Sequence, residues 1–211
     1  MTFRWRIAQF FEIRWWRRYL HARDPKEYLD WKRAYWRNFL LKSGIEFDSG
    51  ARILDAGCGP AGIFTILENH TVDALDPLLI EYERKLPHFK RADFPNIRFF
   101  CQPLETFSID FQYDAVFCLN AINHVAELDV CLDRLAALTN PGSVLALSVD
   151  AHNYGWLKRL FRLFPGDVLH PQQFDLREYR EMLRERGFEV EREVLVKRER
   201  VFGYWLLVGR K

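Results

Sequence analysis

No apolar run in this sequence lasts long. Charged residues break every hydrophobic stretch well before the roughly 20 residues that cross a bilayer, so no transmembrane helix is expected. Low-complexity tracts and internal repeats are missing as well. Their absence excludes repeat architectures and leaves one compact domain with additions as the natural organisation of 211 residues that are 49% hydrophobic. Cysteine is scarce: residues 58, 101, 118 and 131 stand singly, without metal-ligand spacing and with no secretory apolar segment ahead of them. The expectation is reduced thiols in a cytoplasmic protein with no metal site. Acidic residues are sparse at one end only. Residues 1–42 carry eleven Lys/Arg against four Asp/Glu, a surplus of seven; since the whole chain has a formal net charge of +2, the remainder sums to −5.

What is present is organised around Ile53-Leu54-Asp55-Ala56-Gly57-Cys58-Gly59-Pro60-Ala61-Gly62. An apolar run ends in an acid, then a glycine-rich turn, then a helical pattern over 61–69, the strand–turn–helix order of a nucleotide-binding α/β unit. Glycine is needed because the backbone must bend from strand to helix with a ligand lying against it. Phosphate or adenosine chemistry is implied, and the acid separates the two. A pyrophosphate is repelled by a carboxylate at the strand end, whereas an ammonium or sulfonium is attracted. Asp55 therefore points to a cationic ligand. Asp76 ends the next apolar run, Val72-Asp73-Ala74-Leu75-Asp76-Pro77, where a carboxylate accepts hydrogen bonds from both ribose hydroxyls of a bound nucleoside.

Around this centre the pattern alternates. Residues 2–22 read as a helix whose aromatic positions, Trp5, Phe10, Phe11, Trp15, Trp16 and Tyr19, run nearly all the way round it among arginines. A second helix starts at the Asp24 cap with Pro25 at its first position and Glu27 completing a capping box; it ends at Gly44 and carries a stripe of Tyr28, Trp31, Tyr35 and Phe39. Strands at 52–55, 72–75, 97–101, 113–119 and 143–149, with helices at 61–69, 78–86 and 127–138, predict a doubly wound parallel sheet. A helix capped by Asp175 then ends at Gly187. Strands near 188–197 and 200–209 are joined too closely for a parallel crossover and form an antiparallel hairpin. The expected fold is α/β: a Rossmann-like, seven-stranded sheet ending in that hairpin, with N-terminal helices.

Asp55-Ala56-Gly57-Cys58-Gly59, Asp76 and the terminal hairpin together resemble the class I S-adenosylmethionine-dependent methyltransferases of the small-molecule, type 11-like kind, with Ala61 where that family has its third glycine. The resemblance makes residues 1–44 an N-terminal helical cap and 45–211 the methyltransferase domain, with a substrate-side insertion at 151–174. It implies S-adenosyl-L-methionine as cofactor, and Asp55, Gly57, Cys58, Gly59, Asp76, Pro77, Leu119 and Asn120 as residues that bind it. Where the family grips adenine with an Asp-Ala or Asp-Leu pair, this chain has Gln102-Pro103, which leaves the Gln102 amide or the Leu104 N–H for that contact. His124 is the candidate base for an acceptor hydroxyl; the alternative is a histidine hydrogen-bonded beneath the following helix. No Asn-Pro-Pro-Tyr or Asp-Pro-Pro-Tyr follows the fourth strand, so nucleic acid is not the expected acceptor.

The expected activity is methyl transfer to an oxygen, nitrogen or carbon of a small-molecule acceptor. Two rivals are an NAD-dependent oxidoreductase, which Asp55 and the hairpin disfavour, and a non-catalytic basic, aromatic module that binds membrane or RNA on the same fold. Trp156-Leu157-Lys158-Arg159-Leu160-Phe161-Arg162-Leu163-Phe164 is amphipathic and purely cationic. It reads either as a lid or as a peripheral contact with an anionic membrane, the latter suiting a lipophilic acceptor. His170 is a further candidate polar group of the pocket. The oligomeric state is left open.

Overall fold

The computed structural model describes residues 3–152, 174–198 and 202–211. The segment 156–164, His170 and nearly all of the expected insertion lie outside the described residues. The chain opens with two helices, α1 (Phe3–Leu20) and α2 (Pro25–Ser43). Asp24 caps α2 by accepting the Lys26 and Glu27 N–H groups at 2.9 and 3.0 Å, and Gly44, at φ 59°, closes it by donating to the Leu40 carbonyl. There follow β1 (Arg52–Ala56), β2 (Thr71–Leu75), α3 (Leu79–Lys85), β3 (Ile97–Phe100), β4 (Tyr113–Cys118), α4 (Leu128–Leu138), β5 (Thr139–His152), α5 (Leu176–Glu185), β6 (Glu189–Arg198) and β7 (Phe202–Arg210).

The seven strands form one sheet in the order β3-β2-β1-β4-β5-β7-β6. The pairs among β1 to β5 are parallel, and β7 runs antiparallel to both β5 and β6. Side chains alternate between two cores, as the pleat requires. Ile53, Ala115, Phe117, Leu206 and Val208 face the layer that holds α1, α2 and α3. Leu54, Val116, Leu145 and Leu207 face the layer of α4 and α5. The N-terminal helices thus share a core with one face of the sheet: Trp36 of α2 is buried there and donates its indole N–H to the Ala61 carbonyl at 3.0 Å.

One expected helix is not formed. Residues 61–69 make only a single 3₁₀ turn at Ile63–Ile66. Thr65 bonds back to the Gly62 carbonyl through both its N–H and its hydroxyl, and Leu67 N–H reaches Phe64. With β2 beginning at Thr71, the chain has no length for a second turn. β5 is also longer than expected, because Thr139 pairs with Tyr113 before a register shift.

Candidate active site

The sheet order reverses between β1 and β4, so the carboxyl ends of these strands splay apart and leave the crevice in which open α/β sheets bind ligands. A cavity of about 580 Å³ occupies it, within the roughly 300–1,000 Å³ of small-molecule sites. Its floor is the glycine turn. Gly57 and Cys58 both donate their N–H to the Leu75 carbonyl, at 2.7 and 3.0 Å, and Gly59 donates to Asp76 Oδ2 at 3.0 Å. Gly57 has φ 77°, and a Cβ there would overlap the Ala121 methyl from the loop after β4. The bare backbone is therefore required by both torsion and space.

Asp76 is buried, and its second oxygen accepts the Leu78 N–H at 2.8 Å. Burial, with the nearby Glu12 carboxylate of α1, pushes its pKa up to about 7 despite those two N–H donors. Glu12 is held in turn by the Tyr82 hydroxyl at 2.9 Å. Asp55 is raised to about 7 too, by burial, against the opposing pull of the Phe64 N–H, the Lys32 ammonium and the Ile63 N–H. Burial also raises the Cys58 thiol, and the Asp55 and Asp76 charges add to it, so this cysteine is neutral in the turn.

Gly57, Cys58, Gly59, Asp76, Pro77, Leu104, Leu119, Asn120 and His124 line this one cavity. Two expected residues do not. Asp55 turns its carboxylate beneath the turn to the Phe64 N–H at 3.1 Å, closely enough that a Cβ on Gly62 would overlap its Oδ2. It braces the loop from behind and does not line the ligand space, which corrects the expectation of a direct contact. Gln102 also stands off the wall, where Pro103, Leu104 and Glu105 are found instead; the Pro103 turn directs the next residues inward. Asn120 adopts φ 56°, and its N–H donates to Ser148 Oγ at 2.7 Å, which also accepts the Tyr204 hydroxyl at 2.8 Å. This pair from β5 and β7 holds a residue in a conformation that non-glycine residues seldom adopt.

The family model described as "Methyltransferase domain" matches residues 20–193. The chain belongs to the methyltransferase-domain family. A ubiquinone biosynthesis O-methyltransferase of Nitrobacter winogradskyi is 30% identical over 110 residues, which is 50% of this chain and 41% of that protein. The chain thus spans less than half the length of that curated relative. The crystal structure of a Burkholderia thailandensis 1,6-didemethyltoxoflavin-N1-methyltransferase, with its substrate and S-adenosylhomocysteine bound, superposes with a TM-score of 0.62 at 19% identity, covering 100% of this chain and 91% of that one. A Synechocystis magnesium protoporphyrin IX methyltransferase with S-adenosylhomocysteine bound gives a TM-score of 0.56 at 22% identity over 88% and 83%. These likenesses carry the fold.

In this methyltransferase domain the N-terminal helices supply one wall, but the sequence singled out none of their residues as site residues. Gln9, Glu12, Trp16, Tyr28, Lys32 and Trp36 all line the cavity from α1 and α2. Glu12, Trp16 and Tyr19 lie at i, i+4 and i+7, a stripe hidden in the sequence because the remaining faces of α1 are aromatic too. The residues present fit a nucleoside carrying a polar tail. Asp76 stands beside unobstructed glycine backbone, and Gln9 Nε2 is buried on the wall with no hydrogen-bond partner among the described residues, so it waits for an acceptor.

Proposed function

We propose that this protein transfers a methyl group from S-adenosyl-L-methionine to an oxygen of a planar, lipophilic small molecule. One observation carries the reading: a single cavity joins the glycine turn and Asp76 to a wall of Trp and Tyr side chains from α1 and α2. The cofactor, when bound, supplies an electrophilic methyl on a sulfonium, so the chain's part is chiefly alignment. In this reading Asp76 accepts the ribose hydroxyls and Pro77 and Leu104 cover the adenine. Gly57, Cys58 and Gly59 give backbone to the ligand without side-chain obstruction, and Leu119 and Asn120 line the methionine end. His124 is exposed at the cavity wall and takes the proton of the acceptor hydroxyl as general base.

Flat aromatic walls favour a flat acceptor through offset and edge-to-face contacts. Oxygen is preferred because the curated relative bears the name O-methyltransferase. Peripheral contact with an anionic membrane belongs to the same proposal. Phe10, Phe11 and Trp15 are 63%, 49% and 54% exposed on α1, beside the exposed Arg14, Arg17 and Arg18. No helix among the described residues is long and apolar enough to cross a membrane. The test is transfer of labelled methyl from the cofactor to 3,4-dihydroxybenzoate and to a prenylated catechol, with and without anionic vesicles. A labelled methyl ether is expected; label found on amines but on neither catechol would contradict the oxygen acceptor.

A further inference from the structure

Helix α2 turns a lysine inward. Its inner side runs Tyr28, Lys32, Trp36, Phe39 and Ser43, at i, i+4, i+8, i+11 and i+15, and the half-buried lysine is the one charged member. The next residue, Arg33, behaves as a structural cation: its guanidinium donates to the Thr65 carbonyl at 3.2 Å and lies 3.6 Å from Glu68. Lys32 does neither. Its Nζ sits 4.5 Å from the centre of the Trp36 ring and 5.3 Å from that of Tyr35, and it lines the cavity. Among the described residues no carboxylate lies within 4.0 Å of it and it has no hydrogen-bond acceptor. Asp55 acts on it only at longer range, because that carboxylate is committed to the backbone of the turn.

A lysine usually escapes such a position by extending its ammonium to water or to an acid. Here burial lowers the pKa to about 8, with Asp55 partly opposing, so the ammonium persists at neutral pH with little besides aromatic faces to stabilise it. A charge held so in a ligand cavity is a vacant half of an ion pair. We propose that the Lys32 ammonium anchors a carboxylate of the bound ligand, carried either by the amino-acid end of the cofactor or by the acceptor. The proposal rests on the methyltransferase reading and adds the electrostatic requirement of its site: α2 contributes the positive charge, while the end of β2 contributes the acid Asp76.

Three probes separate the sources by calorimetry: S-adenosylhomocysteine, 5′-methylthioadenosine, which lacks the amino-acid carboxylate, and benzoate titrated in the presence of saturating methylthioadenosine. Lys32→Met keeps the apolar stem against Trp36 and removes the charge; Lys32→Arg keeps the charge. If the cofactor supplies the carboxylate, Lys32→Met loses roughly 10- to 100-fold of the wild-type preference for S-adenosylhomocysteine over methylthioadenosine, and Lys32→Arg restores most of it. If the acceptor supplies it, that preference stays and benzoate binding falls by a similar factor. The proposal is overturned if the wild type shows no carboxylate-dependent binding, or if Lys32→Met leaves it unchanged. Wild-type affinity for methylthioadenosine reports separately on the cofactor reading, and melting curves of both variants separate lost charge from lost fold.

Discussion

At the scale of single residues, Asp76 and Gly57 show how the turn is held for a ligand. Asp76 binds the Gly59 and Leu78 N–H groups with one oxygen each, so its carboxylate is fixed in place for the ribose that the proposed function assigns to it. Removing it in Asp76→Ala is expected to weaken S-adenosylhomocysteine binding by roughly 1.5–3 kcal/mol, the cost of charge-assisted hydrogen bonds, as read by titration calorimetry. Unchanged affinity would remove Asp76 from the site. Gly57→Ala combines a left-handed torsion with overlap on Ala121. It should cost about 2 kcal/mol or more in urea unfolding. His124→Gln should leave cofactor affinity intact and slow turnover by roughly 100-fold or more, as for loss of a general base. Equal losses of binding and rate would make His124 structural.

At the scale of elements, α2 is fastened to the glycine-turn segment by the Trp36 indole on the Ala61 carbonyl. Trp36→Phe keeps most of the buried ring and loses that bond. It is expected to lower stability by about 1 kcal/mol and to weaken cofactor binding, measurable by thermal shift with and without S-adenosylhomocysteine. The ends of α2 were legible in the sequence because capping is local chemistry, written in Asp24, Pro25 and Gly44. Its inward face was legible only in part. Of the expected stripe, Tyr28 and Phe39 are buried and Tyr35 packs against the core, but Trp31 is 50% exposed, and the inner side instead passes through Trp36 and the half-buried Lys32, a residue type that hydrophobic periodicity scores as outward. The glycine turn and Asp76 were readable for the same local reason as the cap. Asp55 misled: its position predicts a ligand contact, while its orientation is set by Gly62 and the Phe64 N–H, which become its neighbours only when the turn closes. The helix expected at 61–69 failed because Thr65 competes for the Gly62 carbonyl and β2 starts too soon.

At the scale of the molecule, two buried acids at the sheet's crevice tie stability to pH. Both Asp55 and Asp76 have folded pKa values of about 7, above the usual carboxylate value of 3.8. A raised pKa stabilises the fold fully below the unfolded value, and that contribution is lost as pH rises through the folded one. Without ligand, the urea midpoint should therefore fall between pH 5.5 and 7.5, and Asp76→Asn should flatten the decline. The opposite slope would show that these acids are ionised throughout. Because ribose hydroxyls donate to the ionised carboxylate, S-adenosylhomocysteine should bind more tightly at pH 7.5 than at 5.5.

The parallel sheet, reversed between β1 and β4 and finished by the β6–β7 hairpin, forms its cavity with the turn after β1, the end of β2, the loop after β4 and the two N-terminal helices. The charge pattern of that crevice, Asp76 on the sheet side and the Lys32 ammonium on the helix side, suits a zwitterionic sulfonium ligand. Titration calorimetry of the purified chain with S-adenosylhomocysteine and with NAD, side by side at pH 7.5, tests this most directly. Saturable binding of S-adenosylhomocysteine and none of NAD is the expected result. Tight binding of NAD, with S-adenosylhomocysteine giving no heat and no competition, would contradict it.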